Sequence, residues 1–173
     1  MQISKAEYNL ELHDKWHALT VRQPYAQRLV TAAYVDDDGT VYGEKSIEVR
    51  SKSTKYRGDL LVCSSANPVI PGMISGATMG FVEIYDVRPI ETFSEQDWEN
   101  TCIPVEERPK KGVGWFVRNP RRVVEMPVKG QLGIYNLICP KDDITEYPVS
   151  CHVDKQSWNL IKTQIKNGTG KTI

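Results

Sequence analysis

The sequence contains no long apolar run, and no segment approaches the roughly 20 consecutive apolar residues of a membrane-spanning helix. The first residues also lack the apolar stretch of a secretory signal peptide. The four cysteines are widely spaced and form no CxxC pair, a pattern that favours reduced thiols over a disulfide framework. We therefore expect a cytoplasmic protein with no membrane segment.

An excess of charge is also absent. The chain has 22 basic and 22 acidic side chains, so its formal net charge is zero. Bulk electrostatics thus select no partner, and any basic surface has to be local. Among the three histidines, His13 and His17 are four residues apart, but no acidic or thiol side chain follows at ligand spacing. We expect neither a metal site nor another cofactor.

The length and composition fit an ordinary soluble protein of one domain or two small ones, with 173 residues of which 40% are hydrophobic. Short apolar segments separated by glycine and proline predict strands, and helical spacing, Pro24 and the capping residues Ser94 and Asp154 predict helices. Residues 1–17 are polar and are predicted as an arm or a short leading helix. The predicted strands are 18–22, 59–64, 79–87, 113–118, 121–127 and 131–137; the helices are 24–33, 94–101 and one after Asp154; and 34–42 is a hairpin or loop. The fold class is therefore α+β, a small β-barrel of about six strands flanked by short helices.

The segment GEKSIEVR, residues 43–50, alternates charged groups with β-branched residues. Strict alternation in a strand would place Lys45 on one side and Glu48 and Arg50 on the other. A turn at Gly43-Glu44 or a bulge near Ser46 would bring the three charged groups together. We expect Ile47 and Val49 inside the barrel, with Glu48 and Arg50 at the rim of a cleft.

Six segments, taken in order, resemble the ASCH domain, a member of the PUA-like superfamily. The signature of that family, G-x-K-x-x-E-x-R, is filled without substitution by Gly43, Lys45, Glu48 and Arg50. The segments are ALTVRQPYAQRLV (18–30), GEKSIEVRS (43–51), TKYRGDLLV (54–62), GFVEIYDVRP (80–89), GWFVRNPRRV (114–123) and PVKGQLGIYNL (127–137). The resemblance implies an N-terminal arm at 1–17, an ASCH domain of PUA-like fold at 18–139 and a helical C-terminal extension at 140–173.

The resemblance implies binding of RNA or a nucleotide in a cleft lined by the signature. Basic side chains would meet phosphates, Glu48 would orient Arg50 or accept from a base, and an aromatic ring such as Tyr56 would stack on a base. Arg22 and Gln23 lie at a strand-to-helix junction that attracts anions, and a second basic stretch covers 108–130. The candidate nucleic-acid-binding residues are Arg22, Gln23, Arg50, Lys52, Lys55, Tyr56, Arg57, Arg121 and Lys129.

The alternative is a hydrolase in which Lys45 and Glu48 are catalytic. Some proteins resembling the family are amidohydrolases of acetylcytidine that work with a Lys, a Thr and a Glu, and others have been assigned ribonuclease activity. Those amidohydrolases have Thr where this chain has Glu48, which weakens that comparison. Two further interpretations stay open: Glu48 and Arg50 as a structural salt bridge that pins the strand to the first helix, and a non-catalytic interaction module whose partner surface is the C-terminal extension.

Overall fold

The computed structural model describes residues 2–169, with side chains through 166. Nine strands and three α-helices follow one another along this part of the chain, together with three short 3-10 turns. The elements are β1 (His13–Val21), α1 (Tyr25–Val30), β2 (Ala32–Val35), β3 (Val41–Gly43), β4 (Ile47–Arg50), β5 (Gly58–Ser64), β6 (Thr78–Pro89), α2 (Glu95–Thr101), β7 (Val113–Val123), β8 (Ile134–Pro140), β9 (Glu146–Tyr147) and α3 (Lys155–Thr169).

Seven strands form one mixed sheet in the order β4-β7-β6-β5-β1-β8, with β9 added to β7. Pairing is antiparallel except between β1 and β5, which run parallel with Ala18 opposite Leu61. The curved sheet makes a half-barrel with helices at its edge, so the predicted α+β class is confirmed. Strand β4 is the edge strand on one side of this half-barrel. Strand β8 is the edge strand on the other side, and β1 lies beside it.

The first strand begins at His13, five residues before the predicted start. Residues 13–17 pair with the end of β8, from His13 opposite Pro140 to His17 opposite Asn136. The interpretation of 13–17 as an arm or leading helix is therefore wrong. These residues look polar because the strand lies near the edge of the sheet, where charged side chains reach solvent.

Helix α1 packs against β5, β6 and β7 and covers the core. Pro24 immediately precedes it, and Ala26, Leu29 and Val30 are its buried residues. They pack in a cluster with Leu19, Val21, Leu60, Val62, Met79, Val82, Ile84, Trp115 and Val117. Gly80 permits this contact, since a Cβ at that position would lie 2.8 Å from the Cβ of Val30. The site described below lies at one margin of this cluster.

The two capped helices match their predictions. The Ser94 hydroxyl accepts from the Asp97 amide at 3.1 Å, and the Asp97 carboxylate accepts from the Ser94 amide, completing a capping box at α2. The Asp154 carboxylate accepts from the Ser157 amide at 2.7 Å at the start of α3. The hairpin expected at 34–42 is the β2–β3 pair.

The strands predicted at 113–118 and 121–127 are in fact one strand, β7, which ends at Val123. Asn119 adopts a positive φ of 54° before Pro120. Its side-chain amide donates to Glu83 at 2.7 Å, so the irregularity is held by β6 and the strand continues. Within residues 2–169, no helix is long and apolar enough to cross a membrane.

Candidate nucleic-acid interface

The signature segment bends before it becomes a strand. Residues 44–46 have no strand pairing, and β4 begins at Ile47. Glu48 then lies opposite Trp115 of the core cluster under α1, whereas Ile47 lies opposite Phe116 on the other face. The break predicted near Ser46 is present and lets Lys45 turn toward the same face as Glu48. Ile47 is buried as expected. It lies, however, on the face of β4 away from α1, and the charged residues occupy the face toward α1.

Lys45 is buried, with 2% of its surface exposed. Its ammonium donates to the Thr101 carbonyl at 2.5 Å and lies 3.8 Å from Oε2 of Glu48. The same ammonium is 5.0 Å from the centre of the Tyr25 ring. One end of α2, the start of α1 and the bend before β4 thus jointly enclose one lysine.

Glu48 connects the two cations. Oε1 is 3.6 Å from Nε of Arg50 and Oε2 is 3.8 Å from Nζ of Lys45, both longer than a hydrogen bond. Among the described residues, neither Oε2 of Glu48 nor Nε of Arg50 has a hydrogen-bond partner, although both atoms are buried. Such groups are costly when left unpaired, so both are available to a ligand, a water molecule or each other after a small movement.

Arg50 joins the two sides of the half-barrel. Its Nη2 donates to the Thr20 carbonyl at the end of β1 at 3.0 Å, and its guanidinium lies 5.9 Å from the Trp115 ring. Arg50 is 28% exposed and Glu48 13%. The site is therefore open to solvent at Arg50 and closes inward toward Lys45.

Burial shifts the pKa values of two residues at the closed end of the site, Lys45 and Tyr25. Loss of hydration lowers the pKa of Lys45, and the nearby carboxylate of Glu48 opposes part of that change. Burial likewise raises the pKa of the Tyr25 phenol. A buried lysine with a lowered pKa beside a carboxylate is the arrangement from which proton transfer is possible.

Three predicted nucleic-acid contacts closely follow Thr20 or Arg50 along the chain. Arg22 follows β1 just after Thr20, and Lys52 and Lys55 lie in the loop after Arg50. All three are exposed, and their side chains make no ion pair or hydrogen bond within the described chain. The Lys52 carbonyl accepts from the Trp115 indole at 3.2 Å, which holds this loop beside the signature.

Other predicted contacts have partners inside the protein. Gln23 is buried; its amide donates to the Ile74 carbonyl at 2.9 Å and its oxygen accepts from the Gln27 amide at 3.0 Å. Tyr56 stacks on His17 with 4.1 Å between ring centres, and its hydroxyl donates to the Asp59 carbonyl at 2.5 Å. Arg57 is exposed and donates to the carbonyls of Thr54 and Tyr56.

Three of the seven basic side chains in the stretch 108–130 are paired with acidic groups. Arg108 pairs with Glu95 at 3.1 Å and Arg118 with Glu83 at 2.9 Å. Arg121 binds Asp59 at 2.6 Å and Glu146 at 3.4 Å. Lys129 is exposed and lines a cavity of about 520 Å³ beside the N-terminal segment, on another part of the surface. The structure thus brings Lys45, Glu48 and Arg50 together. Arg22, Lys52 and Lys55 lie close to Thr20 and Arg50 along the chain, whereas Arg121 and Lys129 have their contacts elsewhere.

Sequence reasoning missed Thr20 and Thr101, which act through backbone carbonyls. A carbonyl carries no side-chain signal, and Thr101 is 56 residues from Lys45. It also missed Cys102, which follows α2 with a φ of 60° and whose thiol donates to the Glu44 carbonyl at 3.4 Å, next to Lys45. The four cysteines are free. In residues 2–169, no group of three or more His, Cys, Asp or Glu side chains is placed to hold a metal ion.

Comparison with known proteins identifies the family. The model of the ASCH domain matches residues 38–128, more than half of the chain. The chain therefore belongs to the ASCH domain family. No curated protein matches it in sequence.

Solved structures similar to this chain include the ASCH protein from Zymomonas mobilis, with 11% identity and a TM-score of 0.48 over 85% of this chain and 93% of that one. A serine-to-alanine mutant of that protein gives 11% identity and a TM-score of 0.48 over 85% and 94%. A tyrosine-to-phenylalanine mutant of it gives 12% identity and a TM-score of 0.47 over 64% and 74%.

Proposed function

We propose that this protein binds single-stranded RNA at the open end of the signature site. The observation that carries the proposal is the convergence of Arg50, Glu48 and Lys45, with an unpaired guanidinium Nε and an exposed edge at Arg50. Arg22, Lys52 and Lys55, which closely follow Thr20 or Arg50 along the chain, are exposed and add three cations without ion pairs. Membership of the ASCH family supports RNA over other polyanions.

In this proposal each group has a separate task. Arg22, Lys52 and Lys55 contact phosphates and supply most of the salt-dependent affinity. Arg50 keeps its bond to Thr20 and offers its remaining N–H groups to a phosphate or a base edge, since a guanidinium carries five donors. Glu48 holds Arg50 in position and accepts from a base amino group. Tyr56 presents its ring beside this surface.

A salt series with labelled single-stranded RNA tests the proposal by fluorescence anisotropy. Removal of three phosphate contacts in the Arg22→Ala, Lys52→Ala, Lys55→Ala triple variant should reduce the slope of log affinity against log salt by about 2. The matched control replaces Lys5, Lys141 and Lys166 by alanine, which removes the same charge from other parts of the surface. Equal slopes for wild type and the first triple variant, or the same reduction in both variants, would contradict the proposal.

One observation favours a second candidate, a hydrolase of RNA or of a modified nucleoside. The buried Lys45 ammonium has a lowered pKa and lies 3.8 Å from an unbonded oxygen of Glu48. In its neutral form Lys45 can take a proton from water or a hydroxyl group, and Glu48 can hold that proton next. Such a step requires the cover at Tyr25 to move, because Lys45 is closed to solvent.

Acetylated cytidine and single-stranded RNA are the substrates to test. Lys45→Ala should lower turnover by roughly 100-fold or more, and Glu48→Gln by a similar factor. A Lys45→Ala protein as active as wild type on every substrate turned over would exclude this mechanism while leaving the binding proposal intact.

A further inference from the structure

A second cavity lies on the face of β4 opposite the signature site. Its volume is about 200 Å³, smaller than the roughly 300–1,000 Å³ of sites for drug-sized ligands. The walls come from the β2–β3 hairpin, the start of β4, β6, α2, β7 and the first residue of α3. The lining residues are Tyr34, Asp36, Tyr42, Ser46, Ile47, Tyr85, Arg88, Gln96, Asp97, Asn100, Phe116 and Lys155.

Tyr34 is the first sign that this cavity takes a ligand. The residue is 8% exposed and lines the cavity. Among the described residues, no group hydrogen-bonds its hydroxyl, and this oxygen is not fully buried, so it can be reached from the cavity. Burial raises the pKa of Tyr34 to about 12, so the hydroxyl is neutral and able to donate at physiological pH.

Two amide side chains on α2 supply a matched donor and acceptor. Gln96 donates through Nε2 to Oδ1 of Asn100 at 3.3 Å. Gln96 is exposed, and this bond leaves its oxygen and the Asn100 amino group for another partner. An acceptor beside a donor is the pattern that complements the edge of a nucleobase.

Aromatic rings form the other walls. Tyr34 and Tyr42 are stacked with 5.3 Å between ring centres and an angle of 22°. Tyr85 and Phe116 meet edge to face at 6.3 Å, and the Arg88 guanidinium lies 4.2 Å from the Phe116 ring. Flat rings and a stacked guanidinium are the surfaces on which unstacked bases are held.

The charges of the lining balance. Arg88 and Lys155 are opposed by Asp36 and Asp97, and Arg88 already pairs with Asp86 at 2.6 Å. A free phosphate or another small anion therefore gains little here. An uncharged heterocycle with hydrogen-bonding groups on its edge fits better.

We propose that this cavity binds one nucleobase, presented either as a free nucleoside or as an unstacked nucleotide of RNA. The ring lies among the tyrosines, the Tyr34 hydroxyl donates to it, and Gln96 and Asn100 bind its edge. This site is separate from the signature site, because Ser46 and Ile47 face it while Lys45 and Glu48 face α1. It does not depend on RNA binding at Arg50.

The test is a titration with adenosine, guanosine, cytidine and uridine, and with their 5′-monophosphates, followed by calorimetry and by saturation-transfer NMR. One nucleoside should bind, with its monophosphate within roughly threefold in affinity, since the lining has no net charge. Tyr34→Phe and Gln96→Ala should each weaken binding roughly fivefold, as expected for one neutral hydrogen bond. Both substitutions are mild, and the melting temperature checks that each variant is folded.

Two controls separate this site from the rest of the molecule. Tyr147→Phe changes an exposed tyrosine on β9, and Arg50→Ala changes the signature site; neither should alter nucleoside binding. A tetranucleotide containing the selected base distinguishes the two sources of the base. Tighter binding that Tyr34→Phe still weakens indicates RNA, and affinity equal to that of the nucleoside indicates the free compound.

Three results would overturn the proposal: no binding of any nucleoside or monophosphate in the millimolar range, binding unchanged in both Tyr34→Phe and Gln96→Ala, or binding lost in Arg50→Ala. The last result would assign the ligand to the signature site. Failure of the RNA titrations at Arg22, Lys52 and Lys55 would leave this second site unaffected.

Discussion

Lys45 shows how one buried charge determines the character of the site. It is enclosed by Thr101, Tyr25 and Glu48, and hydration cannot compensate its charge. The sequence shows a lysine at a signature position but not its burial, because the enclosing groups come from distant parts of the chain. The convergence with Glu48 and Arg50 could be predicted, since it requires only a break before β4.

The lowered pKa of Lys45 predicts a pH dependence of stability. The unfolded chain binds a proton at Lys45 up to about pH 10.5, the ordinary value, whereas the folded chain releases it at lower pH. The unfolded state therefore binds more protons in that window, and the free energy of unfolding contributed by this group rises with pH until about 10.5. Lys45→Met should remove this rise.

Urea unfolding at about pH 7 and pH 10 measures the effect as a difference between wild type and variant, which cancels the shared titration of the tyrosines. Lys52→Met is the matched control, because Lys52 is exposed and its side chain makes no ion pair within the described chain. If the free energy of unfolding rises no more between these two pH values in wild type than in Lys45→Met, the burial of Lys45 has no energetic consequence in this pH range.

At the scale of elements, the capped helices and the hairpin could be predicted from local sequence signals. The bounds of β1 and β7 could not, because they depend on pairing with residues that are distant in the sequence. Ser94 and Asp154 identify the starts of α2 and α3 because caps act within one turn. Asn119-Pro120 resembles a strand end, but Glu83 on the neighbouring strand holds Asn119 in place. Strand β1 starts earlier than predicted because its pairing with β8, more than 100 residues away, has no local signature.

The close packing of Gly114 on β7 against Phe93 and Ile47 gives a prediction about stability. A Cβ at this position would overlap Cζ of Phe93 and would lie 2.9 Å from Cγ2 of Ile47. Gly114→Ala should therefore lower the free energy of unfolding by about 1–3 kcal/mol, since the side chains on this face have to move. Phe93→Leu removes the atom that clashes, so the double variant should lose less stability than the sum of the two single changes.

A double-mutant cycle by urea unfolding checks this coupling, with Phe93→Leu alone as the reference for lost packing. Strict additivity of the two losses would mean that the ring moves aside freely.

At the scale of the whole molecule, the part of the C-terminal extension that follows β9, from residue 150 onward, is held by few contacts. Strand β2 meets it through the bond from the Val35 amide to the Val153 carbonyl at 2.7 Å, and Lys162 pairs with Glu99 at 3.7 Å. Leu160 and Ile161 of α3 are 59% and 37% exposed. The family match also ends before this region, at residue 128.

Removal of residues 150–173 should therefore leave a folded protein. We expect a loss of about 1–2 kcal/mol, which corresponds to a fall in melting temperature of roughly 2–8 °C. RNA affinity should stay within about twofold, because Arg22, Arg50, Lys52 and Lys55 are retained. Calorimetry and anisotropy check both statements; a chain that no longer unfolds cooperatively would make the extension part of the domain itself.

The hydrogen bond from Arg50 to the Thr20 carbonyl has a further consequence for the loaded protein. An anion bound by the remaining N–H groups of Arg50 immobilises the guanidinium, so the link that this side chain makes between β1 and β4 becomes firmer. Amides next to Thr20 and Arg50 would then exchange with deuterium more slowly in the complex than in the free protein, including amides that the anion itself does not touch.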